Sequence, residues 1–551
     1  MFVYICSPNT TFIIISTFMK NRIFLLAFAL LGLLPAIADR SNTVTVAVFS
    51  VNDFHAGLLP DARQSVPGAA YVVQTLDSLK QVYPYHVTVS AGDNFGGSFF
   101  YNATRNKSLM PQAFKDMGID ISAVGNHEFD EGQKALADKW HDTELRPRSS
   151  NLTYVCANVR NSEGRIPSFA QPWAVVPVSV GGGKSIHVAF VGLLTSNTPW
   201  QARASNLRGL SFDGNYTAVL DSVSRLPGYD QVEKANIRLL LTHIGSHMED
   251  GTPKWEDRDS MNLKTLDRND IDAIFSAHSH TAVIGMSDSR RPYPILQGLW
   301  HGIYISMFKC EIDTTNGRLV GITPELVRVN PNAALSPKAA RLQAQIEEQY
   351  HTTLFRGMPL SRKLTVSAQN FRHDRHKNDL QTKMGALVCE SYAKAYRMAA
   401  HLPEEALVVG VSHFGSIRAG FSKGDVTVLN VGEALPFANA LKAYRYTGRQ
   451  LLELMNHGIN VCKLGRIQTS GVNVKQDKRG RIRSLTLTLP SGKTVPLHPT
   501  SQLIVVADEY MTTGGDGYLP SQFPKEAEQT LPLPTSTDAF IAYLNTLDSI
   551  R

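Results

Sequence analysis

The chain of 551 residues is too long for one ordinary core of about 150 residues, so we expect two or three domains. Its 43% hydrophobic and 19% charged residues exclude an intrinsically disordered chain. The net charge of +7 is mild for this length and no basic block is present, so a nucleic-acid polymer is not the expected partner.

Residues 1–38 have the layout of a secretory signal. Two basic residues precede an apolar run over residues 23–34, and small residues follow up to Ala38. This order predicts a signal peptide that is cleaved after Ala38, with Met19 as an alternative start. An uncleaved anchor is less favoured, because the run is short for a membrane span of about 20 residues. We therefore predict an exported protein, periplasmic or secreted to the cell surface, with no stable membrane span after cleavage.

Five apolar runs of the first half each end in residues that bind metals. In chain order, the clusters are NDFH at 52–55, GDN at 92–94, GNHE at 125–128, His243, and HSH at 278–280. Such runs are typical of buried strands, and stretches with helical spacing lie between them. The alternation predicts an α/β sheet, whose ligands collect beyond the carboxyl ends of its strands.

The second half has a different composition. Residues 334–350 are polar and alanine-rich, and Ser336-Pro337 is a typical helix start. A helical segment and several strand-like runs follow. We therefore predict a first domain over 39–333, a linking helix over 334–362 and a smaller α+β domain over 363–551.

Four cysteines remain after the predicted cleavage: Cys156, Cys310, Cys389 and Cys462. Export would permit disulfides between them. The first two lie in apolar strand-like runs, so buried thiols are an equally good expectation.

Seven candidate metal ligands stand in the clusters: Asp53, His55, Asp93, Asn126, His243, His278 and His280. Oxygen and imidazole ligands without thiolates suit Zn, Mn, Co or Fe. Seven groups exceed one tetrahedral site but suffice for two divalent ions that share a carboxylate. Such a pair can clamp both oxygens of an in-line phosphoryl displacement. A lone histidine would more often be structural, so the prediction depends on all five clusters together.

These clusters resemble the signature blocks of the calcineurin-like metallophosphoesterases, and GNHEFD is the form typical of the 5′-nucleotidase / UDP-sugar hydrolase family. In the second half, FGSIRAG, GDVTVLNVGEALPFAN and TTGGDGY resemble that family's second domain. The resemblance covers about residues 44 to 545. It implies a four-layer first domain, with two β-sheets flanked by helices, followed by a smaller α+β substrate domain.

The resemblance also implies roles for the clustered residues. One ion is assigned to Asp53, His55, Asp93 and His280. The other is assigned to Asp93, Asn126, His243 and His278, with Asp93 as the bridge. His127 and Asp130 resemble the catalytic dyad. Attack on phosphorus by hydroxide is implied, while His127 stabilises charge on the phosphoryl or leaving oxygen and Asp130 orients the ring.

Five substrate-binding residues are implied in the second domain: Arg418, Asn439, Arg466, Tyr510 and Asp516. Arg418 would bind the phosphate–ribose region, Asp516 the sugar hydroxyls, and Tyr510 the face of the base. Asn439 either binds substrate or only shapes a turn. Arg466 stands where a second aromatic ring is expected, so either its guanidinium stacks on the base or the clamp is one-sided.

A 5′-nucleotidase acting on a small-molecule nucleotide is the favoured function. UDP-sugar hydrolase and 2′,3′-cyclic-nucleotide phosphodiesterase with 3′-nucleotidase activity are alternatives, because all three need the same metal centre. A departure at His413-Phe414, where the family often has Asn-Gly, leaves substrate preference open. A secreted binding protein without turnover would predict a broken ligand set, and every metal position here holds a competent ligand.

Overall fold

The computed structural model describes residues 42–551, apart from 62–64, 105–108, 139–151, 246, 250–251, 255–257, 374–380 and 463–464. The predicted signal peptide, residues 1–38, lies outside the described residues. Within the described part, no helix is both long enough and apolar enough to cross a bilayer.

Strands and helices alternate through the first half, as the apolar runs predict. Its strands β1–β16 are Thr43–Val51, His86–Ser90, Ile119–Ala123, Thr153–Val155, Val159–Arg160, Trp173–Gly181, Lys184–Leu194, Ser211–Phe212, Ile237–His243, His247–Glu249, Thr252–Lys254, Ala273–Phe275, Val283–Met286, Pro294–Gln297, Tyr304–Asp313 and Arg318–Arg328. Its helices α1–α7 are Ala69–Val82, Phe99–Ala103, Leu109–Met117, Gln133–Asp138, Tyr216–Val223, Asp230–Glu233 and Arg258–Lys264.

Two six-stranded sheets pack face to face in this half. The first has the order β16-β15-β1-β2-β3-β4, and the second has the order β13-β14-β12-β9-β7-β6. The central strands of each sheet are parallel. Antiparallel strands close both edges of the second sheet and the β15–β16 edge of the first, whereas β4 closes the other edge of the first sheet in parallel with β3. Val89 and Phe308 of the first sheet meet Phe190 and Leu241 of the second in a fully buried layer. Helices α1 and α3 cover one outer face and α5 to α7 the other, which confirms the predicted four-layer domain.

The second half is a mixed α+β unit, as predicted. Its strands β17–β29 are Leu354–Phe355, Met358–Pro359, Lys363–Ser367, Val408–His413, Gly424–Thr427, Leu441–Thr447, Ile467–Thr469, Val472–Gln476, Ile482–Thr488, Thr494–Leu497, Gln502–Asp508, Glu528–Gln529 and Ser549–Ile550. Its helices α8–α13 are Pro337–Thr352, Lys383–Ala399, Val428–Ala434, Gly448–Asn460, Glu509–Thr512 and Ser536–Leu544. The central sheet has the order β23-β20-β27-β22-β28.

One apolar core runs through both halves. It begins on the outer face of the first sheet under α1 and α3 and continues through α8 to α9, α10 and α13. At the seam, the Phe99 ring of α2 lies 4.9 Å from the Phe355 ring. A Cβ on Gly432 of α10 would lie 2.0 Å from Phe99 Cδ1, so a residue without a side chain is needed there.

The four cysteines that follow the predicted cleavage point are all buried free thiols: Cys156, Cys310, Cys389 and Cys462. Burial in apolar surroundings raises the pKa of the Cys156 thiol to about 12. These side chains therefore act as small apolar packing residues, the second of the two expectations from the sequence.

Candidate functional site

The polar clusters of the first half converge where the two sheets end. Asp53, Asp93 and Asn126 follow the parallel strands β1, β2 and β3, and His243 is the last residue of β9. His278 follows β12, which is parallel to β9. Because parallel strands direct their carboxyl ends to one edge of a sheet, segments far apart in sequence meet there, as the sequence predicts.

Short distances connect the predicted ligand atoms. Nε2 of His55 lies 2.9 Å from Nε2 of His280, which in turn lies 3.5 Å from Oδ1 of Asp53. Nε2 of His243 lies 3.0 Å from Oδ2 of Asp93 and 3.9 Å from Oδ1 of Asp53. Asp93 Oδ2 is also 3.7 Å from His55 Nε2. Asp93 therefore lies between two clusters of nitrogen ligands, as a bridging carboxylate must.

Three overlapping groups of ligand atoms could each hold a cation, and within each group the ligand atoms lie within 4.8 Å of one another. The groups are Asp53, His55 and His280; His55, Asp93 and His127; and Asp93, His243 and His278. Oxygen and imidazole nitrogen are donors common to Zn, Mn, Co and Fe. The first and third groups contain six of the seven predicted ligands, and the second overlaps the predicted dyad at His127.

The chemistry of the pocket fits two divalent ions. Oδ1 of Asn126 is buried and accepts no hydrogen bond from the described residues. Asp53 and Asp93 are 0% and 1% exposed. Burial raises the pKa of Asp53 to about 7, and the negative charge of Asp93 adds to the shift although His243 opposes it. Two buried carboxylates beside an unsatisfied amide oxygen are best stabilised by cations.

Five of the seven predicted ligands adopt a left-handed backbone conformation. Their φ angles are 47° at Asp53, 45° at His55, 52° at Asp93, 82° at His278 and 55° at His280. Each such conformation costs on the order of 1–3 kcal/mol for a residue other than glycine. The strain is concentrated at the ligand loops, where bound ions would offset it.

The predicted dyad lies beside these groups. Nδ1 of His127 is 2.8 Å from Oδ2 of Asp130, and the His127 backbone N–H donates to Asp93 Oδ1 at 2.8 Å. Burial alone would lower the pKa of His127, but the carboxylates of Asp93 and Asp130 raise it above its ordinary value. Gly96 has a φ of 77°, and a Cβ there would lie 2.5 Å from Asp130 Oδ2. The His127–Asp130 contact therefore requires a glycine at position 96, because a side chain there would collide with the Asp130 carboxylate.

Two residues that the sequence analysis did not single out hold the ligand loops. The buried Glu128 carboxylate accepts hydrogen bonds from the backbone N–H groups of Asp93 at 2.9 Å and Gly125 at 2.6 Å. The Asn52 side-chain amide donates to Asp53 Oδ2 at 2.7 Å. Both stand inside the motifs already quoted, but their contacts are tertiary and no spacing in the sequence indicates them.

A loop over residues 195–206 forms one rim of the site. Gln201 Nε2 lies 3.0 Å from His278 Nε2, and Asn206 Nδ2 donates to the Asp130 carbonyl at 2.9 Å. Trp200, beside Gln201, is 88% exposed. The loop has no ligand-type cluster, so nothing in the sequence indicates its contacts with the site.

Arg418 of the second half acts electrostatically on this centre. Its positive charge opposes the rise in the pKa of His127 and adds to the lowering of the pKa of Asp516. Its guanidinium lies 5.6 Å from the centroid of the Phe437 ring, which is 47% exposed. Phe437 belongs to the PFAN motif but was not predicted to bind substrate. Its exposed ring is a second candidate, besides Arg466, for the group that stacks on the base opposite Tyr510.

The other predicted substrate residues lie on loops of the second half. The Tyr510 hydroxyl donates to Asp516 Oδ1 at 3.3 Å, and the Tyr510 side chain is 47% exposed. The carbonyl of Asn439 accepts from Ser536 N–H at 2.8 Å, and the carbonyl of Arg466 accepts from Phe414 N–H at 2.8 Å. Tyr510 and Asp516 are thus brought together, while the side-chain roles of Asn439 and Arg466 stay predictions.

Comparison with known proteins agrees with this geometry. Residues 47–282 match the calcineurin-like phosphoesterase family, and residues 362–522 match the 5′-nucleotidase C-terminal domain. Endonuclease YhcR of Bacillus subtilis is 24% identical over 91% of this chain, which spans 40% of that longer protein. An apyrase of Tabanus yao is 24% identical over 86% of each chain. A 5′-nucleotidase precursor from Thermus thermophilus has the same fold, with a TM-score of 0.68 and 22% identity over 92% of this chain and 97% of its own.

Proposed function

Because the chain belongs to the family of metal-dependent phosphoester hydrolases that join a calcineurin-like phosphoesterase domain to a 5′-nucleotidase C-terminal domain, we propose that it hydrolyses nucleoside 5′-phosphates to nucleoside and phosphate. One observation carries the proposal. The Asp53 and Asp93 groups of metal ligands lie beside the His127–Asp130 pair, in which Nδ1 and Oδ2 are 2.8 Å apart. A phosphate bound at the ions would therefore lie next to a group that can transfer a proton.

Two bound divalent ions would supply Lewis-acid activation of the phosphoryl group and of the attacking water. The chain's own residues transfer the proton, bind the phosphate and hold the ligand loops. Asp130 accepts the Nδ1–H of the protonated His127, so that the second ring proton, on Nε2, can pass to the leaving ester oxygen and leave His127 neutral. Arg418 pairs with the phosphate oxygens, and its planar fork suits them. Glu128 holds the two loops that present Asp93 and Asn126.

A nucleotide is the favoured substrate because the second half offers groups suited to a base and a sugar as well as to a phosphate. Tyr510 offers a half-exposed ring for a base, and the ionised Asp516 accepts hydrogen bonds from sugar hydroxyls. UDP-sugars and 2′,3′-cyclic nucleotides would use the same groups and are the second candidates. The apyrase relative adds nucleoside di- and triphosphates to the substrates worth testing.

The test is a substrate panel on protein loaded separately with Zn, Mn, Co or Fe. The panel contains AMP, ADP, ATP, UDP-glucose, 2′,3′-cAMP and 3′-AMP, with products separated by chromatography. A single-stranded oligonucleotide is added, because one relative is an endonuclease. We expect the highest kcat/KM for AMP and no cleavage of the oligonucleotide. A fully metal-loaded protein that cleaves nothing would be a binding protein, and the proposal would fail.

We also propose that the protein is exported. The supporting observation is the charge and hydropathy pattern of residues 1–38. N-terminal sequencing of protein recovered outside the cytoplasm should begin at Asp39. A mature chain that retains residues 20–34 would instead indicate an anchor.

A further inference from the structure

His413 occupies the floor of the predicted nucleoside site. It is the last residue of β20, which pairs with β23 and β27 in the central sheet of the second half, and it is 2% exposed. Its ring is stacked under that of Tyr510, with 5.3 Å between centroids and 28° between planes. The half-exposed tyrosine therefore rests on a side chain that the sheet holds firmly.

Both ring nitrogens of His413 are engaged. Nδ1 lies 2.6 Å from Oδ2 of Asp516, and Nε2 is in close contact with the Ser416 hydroxyl. Ser416 Oγ in turn lies 3.3 Å from Oδ2 of the buried Asp508, whose Oδ1 accepts the Met511 N–H at the start of α12. The imidazole thus connects the loop that carries Asp516 with the helix that carries Tyr510.

Asp516 depends on this contact for its direction. Asp516 lies between two glycines and has a φ of 51°, which is a left-handed conformation uncommon for residues other than glycine. The backbone alone therefore does not favour this conformation. A Cβ on Gly415 would lie 2.3 Å from Asp516 Oδ2, so a glycine allows the carboxylate to reach His413. Oδ2 is taken by the imidazole, whereas among the residues that the structure describes Oδ1 has only the 3.3 Å contact with Tyr510. Oδ1 is the oxygen available to a ligand.

The charges around the imidazole favour the same arrangement. Burial would raise the pKa of Asp516, but the hydrogen bond and the charge of His413 hold it below its ordinary value, and Arg418 acts in the same direction. Asp516 is therefore an ionised acceptor, which can bind hydroxyl donors and cannot donate to a ligand.

We propose that His413 is a positioning residue that sets Asp516 and Tyr510 as one unit, so that the protein binds ribonucleosides in preference to 2′-deoxyribonucleosides. The proposal rests on the nucleotide function above and specifies its substrate class. A site built to accept hydrogen bonds from sugar hydroxyls disfavours an analogue that lacks one, because the acceptor is left without a partner.

Kinetics on AMP, dAMP and p-nitrophenyl phosphate test the proposal, since the last has neither ribose nor purine. His413→Phe keeps a ring under Tyr510 but removes both hydrogen bonds. We expect its KM for AMP to rise about tenfold with kcat within twofold, and the preference for AMP over dAMP to disappear. Values for p-nitrophenyl phosphate should not change. His413→Asn retains a donor near the Nδ1 position and should limit the rise to about threefold. The exposed His498→Phe is the matched control.

Calorimetric titration with adenosine separates this proposal from the hydrolytic function, because it needs no turnover. Adenosine binding that weakens in His413→Phe supports the positioning role even if no nucleotide is hydrolysed. Equal changes of kcat/KM for AMP, dAMP and p-nitrophenyl phosphate would overturn it. If His413→Phe does not fold, as judged by circular dichroism, Ser416→Ala replaces it. An AMP-to-dAMP preference that Ser416→Ala leaves unchanged would then overturn the proposal.

Discussion

Replacing Asp93 by asparagine tests the bridging assignment directly. The side chain is 1% exposed, Oδ2 lies 3.0 Å from His243 Nε2 and 3.7 Å from His55 Nε2, and Oδ1 accepts the His127 N–H at 2.8 Å. Asparagine keeps the shape and can still accept that N–H. What the substitution removes is one negative charge between the two proposed cation sites, so its effect should be electrostatic rather than steric.

The expected loss is large. Breaking a buried charge pair by removing one partner costs about 3–5 kcal/mol. At about 1.4 kcal/mol per tenfold change, this corresponds to a loss of roughly 10²- to 4 × 10³-fold in affinity for the ions. At micromolar metal we therefore expect Asp93→Asn to hold fewer than two equivalents and to lose most of its activity on AMP.

Metal analysis by mass spectrometry and kcat/KM for AMP are measured on the same preparations. Asp230→Asn, which changes an exposed carboxylate paired with Lys234 on α6, is the matched control and should retain both values. Two full metal equivalents together with near-normal turnover in Asp93→Asn would refute the two-ion assignment.

Further variants and treatments test the His127–Asp130 pair, the backbone strain of the ligand loops and the contact between α2 and α10. His127→Gln should lower kcat about 10²–10⁴-fold at unchanged metal content, because proton transfer is lost; an unaltered kcat would exclude His127 as the acid. Gly96→Ala should also lower kcat, since its Cβ would collide with Asp130; the check is kcat beside metal content. Chelation should lower Tm, with recovery on adding metal, because strained ligand loops lose their cations. Gly432→Ala should destabilise the fold by about 1–3 kcal/mol in denaturant unfolding, and Phe99→Ala in the same chain should relieve part of that penalty if the predicted clash is the cause.

The alternation of strands and helices and the place of the ligand clusters at strand ends could be predicted because they depend on local pattern. The four-layer arrangement was implied by the family resemblance, and the metal-binding roles stay predictions. A buried strand ends in a ligand cluster, and the parallel strands of each sheet direct these ends to one edge. Asp93 after β2 and His243 at the end of β9 therefore meet where the edges of the two sheets adjoin, although 150 residues separate them. The exposed rings were harder to find. Phe437 lies beside Arg418 through tertiary packing, whereas the sequence directed attention to Arg466.

The supporting contacts could not be predicted for a similar reason. Asn52, Glu128 and Gln201 act through tertiary side-chain contacts to the ligand segments, and such contacts have no periodicity. His413 was visible only as a departure from the family pattern. Its partners, Asp516 and Ser416, become apparent once the loops at the ends of β20 and β27 are placed together.

The continuous apolar core through both halves limits how such genes can recombine. A chain ended near residue 333 would leave the apolar side of α1 and α3 without α8, and water would replace Leu342 and Ile346. A second half taken from a relative would have to bring a residue as small as Gly432 opposite Phe99. We therefore expect the two halves to be exchanged together and not singly. Hybrids between relatives should be joined within loops that do not contribute to this shared core.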